Sequence, residues 1–303
     1  MTEQKIRPNR DIDNFILSGE FEIEEMWAWD QLAQYMNDLH ALSLGAEFSE
    51  LGISQRRHAS MPSLIVQSAT GPRFVRDSAV ISKPEETPPG SFAHLRLTGV
   101  MRSQDGLSSR GVTSLVNDIQ AAYQNDNIEG ILLEVNSGGG ESLAGTILQG
   151  ALADAPKPVV VYAHMMASAA LRATLPATEI VASGEGAQAG SIGTFITLDR
   201  SFAEWYNTWY EDLYADKSEN KNREFRDFLK GNRETLQKSI NKSNEVFLQE
   251  VQAYRPLRRD VEHTLSGAMF NAREAKSRGL VDSIGSLTYA TQRLANYARR
   301  KTQ

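Results

Sequence analysis

The sequence predicts an α/β fold built on a mostly parallel, buried sheet, and two observations carry that prediction. Short apolar runs at 92–97, 130–136, 159–163 and 180–182 alternate with segments of helical periodicity at 111–125 and 143–153. The runs at 130–136, 159–163 and 180–182 are apolar for most of their length, the pattern of strands covered on both faces. Strands that alternate with helices form βαβ units, which place the helices on the faces of a parallel sheet.

Ahead of these units, residues 22–45 set Ile23, Met26, Trp27, Trp29, Leu32, Tyr35, Met36 and Leu39 at helical spacing behind acidic residues, which predicts an amphipathic helix. Residues 83–90, Lys-Pro-Glu-Glu-Thr-Pro-Pro-Gly, have the composition of a linker. The expected domains are therefore an N-terminal helical extension with its linker over 1–90 and an α/β domain over 91–303. After the fourth run a glycine-rich turn leads to a further expected strand at 192–198. Residues 233–254 carry Leu236, Ile240, Val246, Phe247, Leu248 and Val251 on a long expected helix, to be packed on the sheet or on another subunit.

A chain of 303 residues with 41% hydrophobic content can bury a substantial core. Its net charge of −6 and pI near 5.5 argue against a nucleic-acid binder, which needs concentrated Lys and Arg to neutralise phosphates. Protein or small-molecule partners are expected instead. The absence of cysteine excludes disulfides, thiolate zinc sites and a cysteine nucleophile, and fits a reducing compartment. The first residues show no apolar run behind a basic start, and no stretch approaches the roughly 18 to 20 apolar residues of a membrane span. A soluble, cytoplasmic protein with no membrane partner is expected.

Three segments carry candidate chemistry. Asn136-Ser137-Gly138-Gly139-Gly140 follows a strand and precedes a helix, and its glycines let backbone amides turn outward toward an anion or oxyanion. A flexible strand-to-helix turn explains the run equally well. No Gly-Lys-Ser/Thr follows, which argues against a Walker-type nucleotide loop. His164-Met165-Met166-Ala167-Ser168-Ala169-Ala170 sets a serine among slim neighbours at a helix start, where a substrate backbone can approach its hydroxyl. A serine among alanines is also an ordinary helix-packing residue. Gly184-Glu185-Gly186-Ala187-Gln188-Ala189-Gly190-Ser191-Ile192-Gly193 suits either the wall of a peptide cleft or a tight turn.

Order and spacing add to these readings. The run from Ile131 through Gly140, then Met166-Ala167-Ser168-Ala169-Ala170, then Glu179-Ile180-Val181-Ala182, then Gly190-Ser191-Ile192-Gly193 resembles the signal peptide peptidase A family of serine peptidases. More narrowly it resembles the phage branch, the prohead or capsid maturation proteases. The resemblance extends from about Phe92 to Ile284 and implies a ClpP/crotonase-type fold. It implies that Ser168 is the nucleophile and that the amides of Gly139 and Gly140 line the oxyanion hole. It also implies a lysine as general base, the Ser–Lys variant of the triad. Lys217 and Lys221 stand 49 and 53 residues beyond Ser168 (217 − 168 and 221 − 168). Lys221 is preferred for the Lys-Asn step ahead of a charged helix, and Lys217 stays open. The acting lysine must be neutral to accept the serine proton, which calls for burial. An exposed, solvated lysine is the alternative reading for either.

His164, four residues before Ser168, reads as a satisfied histidine, and His40, His58, His94 and His263 stand in no triad pattern. The chain departs from the family at Gly138, where proline is frequent, and at Leu171, where an aromatic is frequent. These differences bear on loop stiffness and on the pocket wall. The segment from Gly267 to Asp282 resembles the family's closing element and is structural. The implied function is a serine endopeptidase that needs no metal or cofactor. Its implied substrates are phage scaffold, portal and capsid proteins, with self-processing and a ring-like homo-oligomer. Alternatives are a soluble cellular peptidase of the same family, a crotonase-type acyl-CoA enzyme, which also binds an oxyanion with two amides, and an inactive assembly scaffold.

Overall fold

Val, Ile and Leu dominate the central strands because both faces of the sheet are covered, and burial of such side chains is the main stabilising contribution available. The computed structural model describes residues 21–23, 61–68, 71–75, 81–105, 110–198 and 201–301. In chain order the elements are β1 (Phe21–Ile23), β2 (Ser63–Ser68), β3 (Gly71–Val75), β4 (Ser91–Thr98), α1 (Val112–Gln124), β5 (Ile128–Ser137), β6 (Gly139–Glu141), α2 (Ser142–Ala153), β7 (Val159–Ala167) and α3 (Ala169–Thr174). They continue with β8 (Glu179–Ala182), β9 (Gln188–Gly190), α4 (Phe202–Trp209), α5 (Arg223–Leu229), α6 (Glu234–Tyr254), α7 (Val261–Thr264), β10 (Met269–Asn271), α8 (Ala272–Arg278), β11 (Ser283–Ile284) and α9 (Leu287–Lys301).

A nine-stranded mixed sheet runs β10-β9-β7-β5-β4-β2-β3, with β8 branching from β7 and β11 pairing β8. The central strands β4, β5, β7 and β8 are parallel, joined by α1, α2 and α3, as the alternation of apolar runs and helical segments predicts. Antiparallel β2 and β3 extend one edge and antiparallel β10 the other.

Alternate residues of each strand point to opposite faces, so the sheet sorts its side chains into two cores. Leu95, Leu97, Ile131, Leu133, Val159 and Val161 enter the larger core beneath α1, α2, α3 and α6. Phe92, Leu132, Val160 and Val181 enter a second core, which Ala290, Leu294 and Ala298 of α9 cover at four-residue spacing.

The structure corrects two expectations. The apolar run 192–198 forms no strand: β9 ends at Gly190, Ile192 turns into the core, and Phe195 is exposed. The strand forms earlier because Gln188, Ala189 and Gly190 pair with β7 on one side and β10 on the other. Within the helix expected over 22–45, Glu22 and Ile23 belong instead to β1, which pairs with β6; residues 24–45 lie outside the described residues. The Pro-rich segment 83–90 is held in place: Pro84–Glu86 form a 3-10 turn, and the buried Asn125 amide donates to the Ile81 carbonyl and to Thr87 Oγ1, each at 2.9 Å. β2, from the region expected to be an extension, hydrogen-bonds to β4 of the main sheet. Among the described residues no helix is long and apolar enough to cross a membrane.

Leu133 is fully buried at the centre of β5. Leu133→Ala removes buried methyl groups and leaves a cavity, so a loss of about 2–5 kcal/mol is expected. Urea unfolding checks this as a lower midpoint at nearly unchanged slope.

Candidate active site

In parallel α/β sheets, sites collect where the chain leaves the carboxyl ends of the strands. β5 and β7 are neighbours, with Ser137 opposite Met166, so Gly138–Gly140 and Ser168 leave the sheet side by side. β9 lies along the other edge of β7, with Ala167 opposite Gly190, and the Ser168 amide donates to the Gly190 carbonyl at 2.9 Å. The three segments singled out in the sequence thus meet in one place.

Ser168 is the single residue between β7 and α3, so it alone absorbs the reversal from strand to helix. It does so at φ 54°, ψ −120°. A non-glycine residue in this region costs on the order of 1–3 kcal/mol, and such sharp strand-to-helix turns are a recurrent way of presenting a nucleophile. Ala167, Ala169 and Ala170 are fully buried around it, and Ser168 itself is 1% exposed. Its hydroxyl lies 3.5 Å from the Gly193 carbonyl, a length at which a hydrogen bond holds it only weakly. Arg172 anchors α3: its guanidinium grips Glu250 of α6 at 2.7 and 3.2 Å, donates to Ser142 Oγ at 3.0 Å and lies over the Phe247 ring.

The glycine loop is equally fixed. Buried Ser137 Oγ donates to the Gly99 carbonyl at 2.6 Å and accepts from the Gly139 amide at 3.1 Å. Met101 pairs with β6 by donating to the Gly139 carbonyl and accepting from the Glu141 amide. Consecutive residues of a strand send their N–H and C=O groups to opposite edges, so those of Gly140 point away from Met101, to the edge on which β1 lies. Gly140 has φ +156°, and a Cβ there would stand 2.1 Å from the Met101 carbonyl oxygen. Of the two amides expected in an oxyanion hole, that of Gly139 is engaged by Ser137 and that of Gly140 faces β1.

Neither candidate lysine is brought to Ser168 within one chain. Lys217 and Lys221 are exposed on the turns between α4 and α5, and among the described residues neither ammonium has a hydrogen-bond or ion-pair partner. The same stretch exposes Trp205, Trp209, Tyr210 and Leu213 around a cluster of Phe202, Tyr206 and Phe225.

Residues 151–301 match Peptidase family S49. The matched stretch contains Ser168, Gly190, Gly193, Lys217 and Lys221, while Gly139 and Gly140 lie ahead of it. The match accords with the expected signal peptide peptidase A type at the level of the family, not of a branch. The chain is also similar to a candidate protease of Methanocaldococcus jannaschii, at 31% identity over 203 residues. That alignment covers 64% of this chain and 63% of the relative, so the chain spans less than two thirds of that protein's length. Among solved structures it is similar to a ClpP1 mutant from Listeria monocytogenes, with 14% identity, TM-score 0.43, and coverage of 65% of this chain and 93% of that one. It is also similar to an enoyl-CoA hydratase from Mycobacterium marinum, with 14% identity, TM-score 0.42, and coverage of 68% and 80%. The α/β fold itself is read from the order and pairing of the chain's own strands and helices.

Sequence reasoning missed a charged cluster just ahead of the S49-matched stretch and reaching into it. Glu134 of β5 accepts from His94 Nε2 at 2.9 Å and from Arg96 Nε at 3.1 Å through one oxygen, and bonds His164 Nε2 at 3.0 Å through the other. His94 Nδ1 in turn meets Ser63 Oγ at 3.1 Å. His164 is therefore satisfied, as expected. Ser63 and His94 are each 1% exposed within the sheet, closed to any substrate, so their serine–histidine–carboxylate chain is structural. The signal for the cluster is a row of polar residues on one face of three strands, legible only once their register is known. The hydrogen bond with His94, followed by that with His164 and the charges of His94 and Arg96, outweighs burial and holds the Glu134 carboxyl at about 2, against an ordinary 4.5.

A carboxylate depressed in this way stabilises the fold above its unfolded value, and the contribution fades as pH falls from 4.5 toward about 2. Thermal melts of wild type and Glu134→Gln are expected to differ most above pH 4.5 and to converge through that window. Gly140→Ala places a side chain where neither the backbone angle nor Met101 admits one, and a loss of more than about 1 kcal/mol is expected in the same melts at neutral pH.

Proposed function

We propose that this chain is a serine endopeptidase of the S49 type, with Ser168 as nucleophile and a lysine as base. The observation that carries the reading is the one-residue turn at Ser168, flanked by the Gly139–Gly140 loop and the Gly190–Gly193 segment. Ser168 Oγ attacks a peptide carbonyl while the base takes its proton, then returns it to the leaving amine, and water repeats the sequence on the acyl-enzyme. The Gly140 amide, which faces the β1 edge, is the proposed donor to the developing oxyanion. For Gly139 to serve as a second donor, its amide must exchange Ser137 Oγ for that oxygen. The chemistry calls for no metal and no cofactor.

Lys221, or Lys217 in its place, is the proposed base. In the isolated chain both are solvated, so the reading requires that they be covered in the active form. The exposed aromatic surface on the same segment supports this, because contiguous apolar patches of this kind mark association sites. A homo-oligomer whose second copy covers Trp205, Trp209 and Leu213 would desolvate the lysines with them. The proposed substrates are proteins. The phage-like motif set supports the narrower reading: scaffold, portal and capsid proteins cleaved in the prohead or host cytoplasm by residues 91–303, with residues 1–90 as an extension.

Intact mass followed over time, with an unfolded protein as substrate, tests the reading. Wild type is expected to cleave, Ser168→Ala to lose at least about 10³-fold in rate, and either Lys221→Ala or Lys217→Ala, but not both, to be equally inert. Cleavage by Ser168→Ala at the wild-type rate would remove the nucleophile and the reading with it.

A further inference from the structure

β1 stands apart from the other described elements, with residues 24–62 between it and β2. Its backbone nevertheless runs antiparallel along β6, with Phe21 opposite Glu141, Glu22 opposite Gly140 and Ile23 opposite Gly139. It also lies beside α3, the helix that begins after Ser168. Those two elements form the surroundings of the serine. One edge of β6 is taken by Met101, and β1 takes the other. With glycine at two of its three positions, β6 admits a second backbone without side-chain interference, so recognition there rests on main-chain hydrogen bonds that any extended peptide can make.

Gly140 makes the arrangement exclusive. Its N–H points to the β1 edge, and one amide cannot serve both Glu22 and an oxyanion. A substrate carbonyl that uses this donor must first move β1 aside.

We propose that Phe21–Ile23 is a built-in occupant of the peptide-docking edge of β6, filling in cis the place that an extended substrate fills in trans. The inference rests on the peptidase reading of Ser168. Three paired residues make a weak grip, and the tether supplies what the contact lacks, because a segment on its own chain competes at an effective concentration in the millimolar range. The brake is therefore competitive. It raises the apparent KM by the reciprocal of the fraction of molecules whose edge is free and leaves kcat unchanged. Short peptides are held off, while segments that pair beyond the three positions displace it.

Glu22→Pro/Ile23→Pro in the full-length chain tests this. The double change removes the N–H donors of adjacent residues, so the pairing fails whichever edge of β1 faces β6. Toward a short peptide substrate, KM is expected to fall about tenfold at constant kcat. A synthetic peptide of residues 17–28 is expected to inhibit this variant competitively and the wild type far less; a scrambled peptide should inhibit neither. Unchanged KM overturns the proposal. Two further readouts, made in the Ser168→Ala background, do not depend on turnover. Hydrogen exchange at the Gly140 amide should quicken when the prolines are introduced, and a fluorescent 17–28 peptide should bind the proline variant. Unchanged exchange or absent binding overturns the proposal even if Ser168 is confirmed as nucleophile. Quickened exchange with binding, but cleavage that survives Ser168→Ala, upholds the occupant and overturns the peptidase reading instead.

Discussion

The parallel pairing of β5 with β7 is the constraint on which the site depends. Ser137 opposite Met166 brings the end of one strand level with the end of the other. The glycine loop and Ser168 then leave the sheet together without any long-range contact between their side chains. A slip of one residue would reverse the faces of the whole strand, carrying Leu133 and Val135 out of the larger core and turning Glu134 into it. The buried hydrocarbon and the charged cluster therefore hold the same register from opposite faces. Glu134 contributes by tying β5 to β4 through His94 and Arg96, and to β7 through His164.

Much of this scaffold was legible in the sequence. β4, α1, β5, α2, β7 and β8 follow from apolar runs and helical spacing, because buried parallel strands write a largely hydrophobic signal. The glycine loop and the serine were legible as motifs, and their order suggested that they meet. β9 was not, since Gln188, Ala189 and Gly190 carry no apolar run and are a strand only by virtue of β7 and β10. β1 was hidden for a related reason. Its residues sit at the front of a stretch with helical periodicity, and its partner β6 is remote in sequence. The charged cluster depends on register between three strands, which single-chain spacing does not encode. Spacing likewise counts residues from Ser168 to Lys217 and Lys221 but not the path between them, which runs out onto an exposed, aromatic segment.

The surroundings of Ser168 combine rigidity with slack. Arg172 fixes α3 to α2 and α6, and Gly145 lets α2 approach until a Cβ there would meet the Ala169 carbonyl at 3.2 Å. Ser137 and Met101 fix the glycine loop. The Ser168 hydroxyl, by contrast, has one long contact and no strong partner among the described residues. The nucleophile proposed at Ser168 needs that combination, because a firmly bonded hydroxyl would have to break a bond before it could attack.

The backbone at Ser168 has a wider consequence. Position 168 carries a left-handed φ that only glycine adopts without strain, so the replacement that would relax the fold most is the one that deletes the hydroxyl. With Ser168 as the proposed nucleophile, stability and catalysis pull in opposite directions at a single residue. Robustness gained by glycine at this position would, on the proposed reading, be activity lost.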